Sequence, residues 1–167
     1  MAGKQRDAVA QEEHVRGYEF YGTEPDYLPA FMNDATDADG RRVRKLTAEE
    51  TQALRRLSLS RFPVSGGADL DWSRSPHTDR QMCETDEDWA RVAAEYLSPY
   101  AGEGRSVVVF WGDLSMPSVE MPVEVAIRRS LDFMDADMHF WMHPLGSSVL
   151  IEYLQDGRVT VAPIPGD

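Results

Sequence analysis

The sequence predicts an α+β domain, and three observations carry that expectation. A capped helix with one continuous apolar face begins at Thr85, an unbroken β-branched and aromatic run fills Ser106–Trp111, and the last strand candidates are joined by Asp156-Gly157. The expected organisation is a polar arm over residues 1–17 followed by one domain over 18–167, since neither an internal repeat nor a low-complexity linker divides the chain. A chain of 167 residues is long enough for one core, burying about 70% of the surface its unfolded form exposes.

Residues 1–17 lack hydrophobic periodicity and read as a frayed or loosely helical arm. Tyr18, Phe20, Tyr21, Tyr27, Leu28 and Phe31 follow, broken by Pro25 and Pro29, so an irregular aromatic segment is expected to lie over the core. After the polar loop at 33–40, Thr47-Ala48-Glu49-Glu50 has the spacing of a capping box, in which hydroxyl and carboxylate each satisfy an orphan backbone N–H. A helix with Leu54 and Leu57 on its apolar stripe should run from there to Phe62-Pro63. Residues 63–84 read as a long loop with room for a short strand.

Thr85 then caps the clearest helix. Trp89, Val92, Ala93, Tyr96 and Leu97 fall at i, i+3, i+4, i+7 and i+8, one buried face, and Ser98-Pro99 ends it. Ser106–Trp111 reads as a central strand covered on both faces. A helix is expected from Pro122, with Val123, Ala126, Ile127, Leu131 and Met134 inward, because proline suits the first helical position. Three strands should follow at 138–143, 148–154 and 158–162, the last two joined by an Asp-Gly hairpin turn of type I′, which needs positive φ at both central positions. The C-terminal half is therefore expected to be β-α-β-β-β, an antiparallel meander packed by helices, behind a helical and irregular N-terminal part.

Composition excludes several classes of function. Clustered Lys and Arg are needed to hold phosphates, and this chain has 29 acids against 17 bases, net −12. Direct nucleic-acid binding is not expected. The longest apolar run, Val107 to Trp111, is far short of the roughly 18 to 20 residues that span a bilayer. No apolar leader opens the sequence, so the expectation is a cytoplasmic protein away from membranes. Cys83 is the only cysteine, which removes an internal disulfide and any multi-cysteine zinc site. Between Ser106 and Asp167 three bases face nine acids, half of the whole charge deficit. A basic partner would be steered to that half.

Candidate chemistry is sparse. Asp37-x-Asp39-Gly40 has part of a calcium-loop pattern, but with Gly40 at position 6 the ligand positions 1 and 12 fall on Ala35 and Leu46. His139 and His143 have helical zinc spacing, yet on a strand they stand roughly 13 Å apart. Cys83 lies near His77 and Asp79 only along the chain, and no nucleophile elbow, phosphate loop or dinucleotide loop is present. The expectation is a protein without catalytic residues, metal or cofactor.

Val109-Phe110-Trp111-Gly112-Asp113-Leu114, Pro117-Ser118-Val119, Phe140-Trp141, Val149-Leu150-Ile151-Glu152-Tyr153 and Asp156-Gly157 together resemble bacterial immunity proteins of contact-dependent growth inhibition and related polymorphic toxin systems. The resemblance covers roughly residues 106–163. It implies a small cytoplasmic inhibitor that binds a cognate toxin domain, often a nuclease. Such inhibitors have no catalytic residues to carry over, so the contact residues come from acidity and position instead. They are Asp113, Glu120, Glu124, Asp132 and Asp135, with Trp141 and His143 beside them. Two other readings stand beside this one: a regulatory or structural module with a non-toxin protein partner, and a small hydrolase-type enzyme in which His77, His139 or His143 meets a carboxylate.

Overall fold

The computed structural model describes residues 18–65 and 69–166, so the arm expected over 1–17 lies outside the described residues. The chain forms helices α1 (Ala30–Asn33), α2 (Ala48–Leu57), α3 (Asp86–Leu97), α4 (Val123–Arg128) and α5 (Ser130–Ala136). Its strands are β1 (Arg44–Lys45), β2 (Asp79–Met82), β3 (Ser106–Trp111), β4 (Val119–Pro122), β5 (His139–Pro144), β6 (Val149–Leu154) and β7 (Arg158–Pro163). All seven join one antiparallel sheet in the order β1-β4-β3-β5-β6-β7-β2. The α+β class and the C-terminal meander are as the sequence predicts.

The period-2 alternation of β3 sorts the core into two layers. Val107, Val109 and Trp111 face α3, α4 and α5, together with Phe140, Met142, Ile151, Tyr153 and Val159. Val108 and Phe110 face the other way, with Trp141, Leu150 and Ala162, under Leu46, Leu59, Phe62 and Leu70. Both caps form. Thr47 and Glu50 exchange their capping-box bonds at α2, and Asp88 N donates to Thr85 Oγ1 at α3. All five expected inward residues of α3 are buried. Leu57 is not; it stands exposed at the end of α2, whose inward residue is Thr51.

The Tyr21 hydroxyl ties the aromatic segment down. It lies 2.9 Å from Leu46 O and 2.6 Å from Thr51 Oγ1, and accepts from Ser118 N at 2.8 Å. Leu28 and Phe31 are buried beneath this segment, while Phe20 and Tyr27 point to solvent.

Two strands go beyond the expected pattern, the two-residue β1 and, inside the C-terminal half, β4. Pro122 does not open a helix; it is the last residue of β4, pairs with Ser106 and serves as the N-cap of α4. Val119 and Met121 are buried and Glu120 and Pro122 are not, an alternation too short to outweigh the helical spacing that follows. The expected single helix is also two, separated at Arg129. The Asp156-Gly157 turn is not of the expected type I′, because Gly157 has φ +89 while Asp156 has no positive φ; a Cβ on Gly157 would also lie 2.1 Å from Cys83 O, so glycine is required twice over. Both sheet edges are blunted against pairing: β1 has two residues, and on β2 the Asp79 carboxylate takes the Arg80 N–H at 2.9 Å.

Candidate interaction face

The break at Arg129 turns two consecutive guanidinium groups onto the loop at 37–40. Arg128 and Arg129 both bond Asp39, Arg129 also bonds Asp37, and the Arg129 guanidinium lies 4.7 Å from the Phe31 ring centre. Asp37 Oδ1 accepts the backbone N–H groups of Asp39 and Gly40 at 2.8 and 3.0 Å. Gly40 is needed because a Cβ would fall 1.9 Å from Phe31 O. The calcium-like spelling Asp37-x-Asp39-Gly40 is thus an arginine clasp. Bonding to Arg128, then Arg129, pulls the Asp39 carboxyl down to about 2.

The expected contact acids separate into engaged and free groups. Glu120 pairs with Arg44 and Glu124 with Arg42, each at 2.6 Å, and the Arg42 bond holds the Glu124 carboxyl below its ordinary range. Asp113 is exposed and accepts the Ser115 N–H at 2.8 Å. Asp132 lies 3.8 Å from Arg129, whose guanidinium is already committed to Asp37 and Asp39. Asp135 is exposed and makes no ion pair among the described residues.

Trp141 and His143 require correction: both are buried, so neither stands on a contact surface. They lie on β5, whose alternation turns them onto the sheet face opposite α5. His143 Nδ1 sits 2.9 Å from Val149 O, and burial pushes its pKa down.

Asp132 and Asp135 instead border a groove between α5 and the aromatic segment, floored by Tyr27, Leu28, Pro29, Ala30 and Ala136. Tyr27 is 59% exposed, Leu131 on α5 is 41% exposed, and Met138 just past its end is 61% exposed. The sequence expectation laid Tyr27 over the core. Between Pro25 and Pro29 no period fixes which way a side chain turns, and only the packed segment decides it.

One of the expected histidines, His139, does meet a carboxylate, in a buried polar centre built on Glu152, a residue the sequence did not single out. Glu152, 2% exposed, accepts Trp72 Nε1–H on one oxygen at 2.8 Å and Trp141 Nε1–H on the other at 2.9 Å. His139 Nε2 lies 3.1 Å from the second oxygen, and its Nδ1 lies 3.7 Å from Asp69. A lone acid inside Val149-Leu150-Ile151-Glu152-Tyr153 was the available signal, because a carboxylate in a buried run needs donors. Here it acts as the common acceptor for two indoles and an imidazole, none of which lines a groove described above. Cys83 is buried, its thiol pushed up in pKa by burial. Among the described residues no three His, Cys, Asp or Glu side chains gather as metal ligands.

These features define an α+β domain with an acid-rimmed apolar groove beside α5. No protein-family model matches the chain, and no curated protein matches it. Among the described residues no helix is long and apolar enough to cross a membrane.

Proposed function

We propose that this chain is a non-catalytic, acidic protein-binding domain that docks a basic partner, and that the partner is a toxin domain which binding inhibits. The observation that carries the reading is the pairing of exposed carboxylates with exposed apolar side chains. Asp135, without an ion pair among the described residues, and Asp132, held only loosely by Arg129 at 3.8 Å, rim a groove lined by Tyr27, whereas Glu120 and Glu124 are neutralised by the chain's own arginines. Charge of this kind sets encounter rate and selectivity, and an exposed tyrosine supplies the anchor that holds most of the affinity. The immunity-protein resemblance of residues 106–163 supports the inhibitor role, and the net charge of −12 supports the basic partner. A cytoplasmic site of action goes with that role.

Native co-purification followed by co-expression tests the reading. A basic domain that is toxic alone and harmless beside this chain is expected, with affinity falling at least tenfold when salt is raised from low to high ionic strength. Recovery of a non-toxin partner would favour a regulatory module. Salt-independent binding would remove the electrostatic part of the reading.

A further inference from the structure

We infer that the binding face does not end at the Tyr27 groove but crosses α5 into a second groove, so that one basic protein straddles the helix. The inference rests on the basic-partner reading and extends it to residues outside the C-terminal half. Helical side chains turn by about 100° per residue. With Leu131 as the crest of α5, Asp135 and Asp132 fall about 40° and 100° to one side, Met134 about 60° to the other, and Phe133 points back to the sheet. Burial agrees: Leu131 is exposed and Phe133 fully buried. The side carrying Asp132 and Asp135 is the wall of the Tyr27 groove.

Met134 lines a separate groove with Met82, Tyr153, Glu84, Asp86 and Asp156. This groove has an acidic rim like the first, and its apolar lining, Met82, Met134 and Tyr153, lies beside the polar Thr85 and Gln155. Met82 is 54% exposed, an unbranched side chain left in water beside another methionine. Asp156 is held by Arg158 at 2.6 Å, and Asp86 sits in the first turn of α3, where a carboxylate suits the helix dipole. Glu84 makes no ion pair among the described residues. Met82 and Glu84 therefore carry the argument for this side.

The occupant that fits is a protein with two Lys- or Arg-bearing ridges flanking an apolar hollow that receives Leu131. A nucleic-acid backbone would be repelled by both rims. Two grooves astride a ridge also place an apolar side chain, Leu131, at the centre of the face with acids to either side, the arrangement of a specific protein interface.

The test is an amide NMR titration with a helical hairpin peptide whose two helices carry Lys and Leu on one face. Amide shifts at Tyr27, Leu28, Ala30 and 132–136 and at 82–86 and 155–157 should saturate together, and the same hairpin with Glu for Lys should give none. The double variant Met82→Lys, Glu84→Lys should weaken hairpin binding about tenfold, as should Tyr27→Ala, Asp135→Lys. Saturable shifts confined to the Tyr27 groove, or unchanged affinity in the Met82/Glu84 variant, would overturn the straddling face and leave the basic-partner reading standing. No saturable shift in either groove would overturn both.

Discussion

The two faces of the sheet are built from the same strands yet held by different physics. Under α3, α4 and α5 the face is almost wholly apolar, with Trp89, Phe140 and Tyr153 packed ring to ring and Trp111 and Phe133 completing the aromatic layer. Non-directional burial stabilises it, and many apolar sequences would serve. On the opposite face a row of cross-strand neighbours runs Phe110, Trp141, Glu152, Thr160, Arg80. There Glu152 collects three nitrogen partners and Arg80 Nε donates to Thr160 Oγ1 at 3.0 Å. Directional bonding in a low dielectric makes the loss of one of these partners costly, and the face already carries one such cost in Arg80 Nη2, which is buried with no hydrogen-bond partner among the described residues. One face fixes how much surface is buried; the other fixes which groups meet.

The largest expected effect breaks the apolar face. Trp89→Ala removes a fully buried indole and the 2.8 Å bond to Ser130 O, and should cost about 3–5 kcal/mol in denaturant unfolding. A loss near that of a surface substitution would mean the aromatic layer does not carry this face. Glu152→Ala comes next. It orphans the indole N–H groups of Trp72 and Trp141 and should cost about 2–4 kcal/mol. Trp72→Phe removes one donor and keeps the carboxylate's other bonds, so about 1 kcal/mol is expected. Equal losses for the Glu152 and Trp72 variants would show that the shared acceptor is not what holds this face together. Thr47→Ala, at the exposed start of α2, should cost about 1 kcal/mol through the lost cap, and a calorimetric melt would read it.

The smallest effect lies at the arginine clasp. Asp39 has a depressed pKa in the folded state, so its contribution is fully present above the ordinary aspartate range, roughly pH 4, and is lost as pH falls through about 2. Carboxyl NMR titration should place the Asp39 midpoint well below the ordinary aspartate range. A midpoint inside that range would show that Arg128 and Arg129 do not hold it.

Legibility in the sequence followed the range of the interactions involved. Both helix caps, the buried stripe of α3, the strand β3 and the Asp156-Gly157 hairpin rest on neighbours within a few residues and were readable directly. The strand β4 was not, because its four residues alternate too briefly to outweigh the helical spacing of Val123, Ala126 and Ile127 just after it. Of the candidate contacts, the acids were found by charge alone. Charge could not say that Glu120 and Glu124 meet Arg44 and Arg42 from the other half of the chain while Asp135 meets none among the described residues. Trp141 was misplaced for a related reason: an aromatic residue in a strand looks the same from either side until the sheet is covered.

The sequence by itself determined the class of fold, the strongest helix, the C-terminal meander and the acidic balance, since propensity, periodicity and net charge are properties of the chain read locally. Only the tertiary structure decided which acids remain free, which aromatic side chains stay in water and that Glu152 gathers two indoles and an imidazole. Those outcomes depend on groups as far apart as Asp39 and Arg129, or Trp72 and Glu152, reaching bonding distance. Contacts of that separation are set by how the strands pair and which face each side chain takes, and no local pattern encodes them.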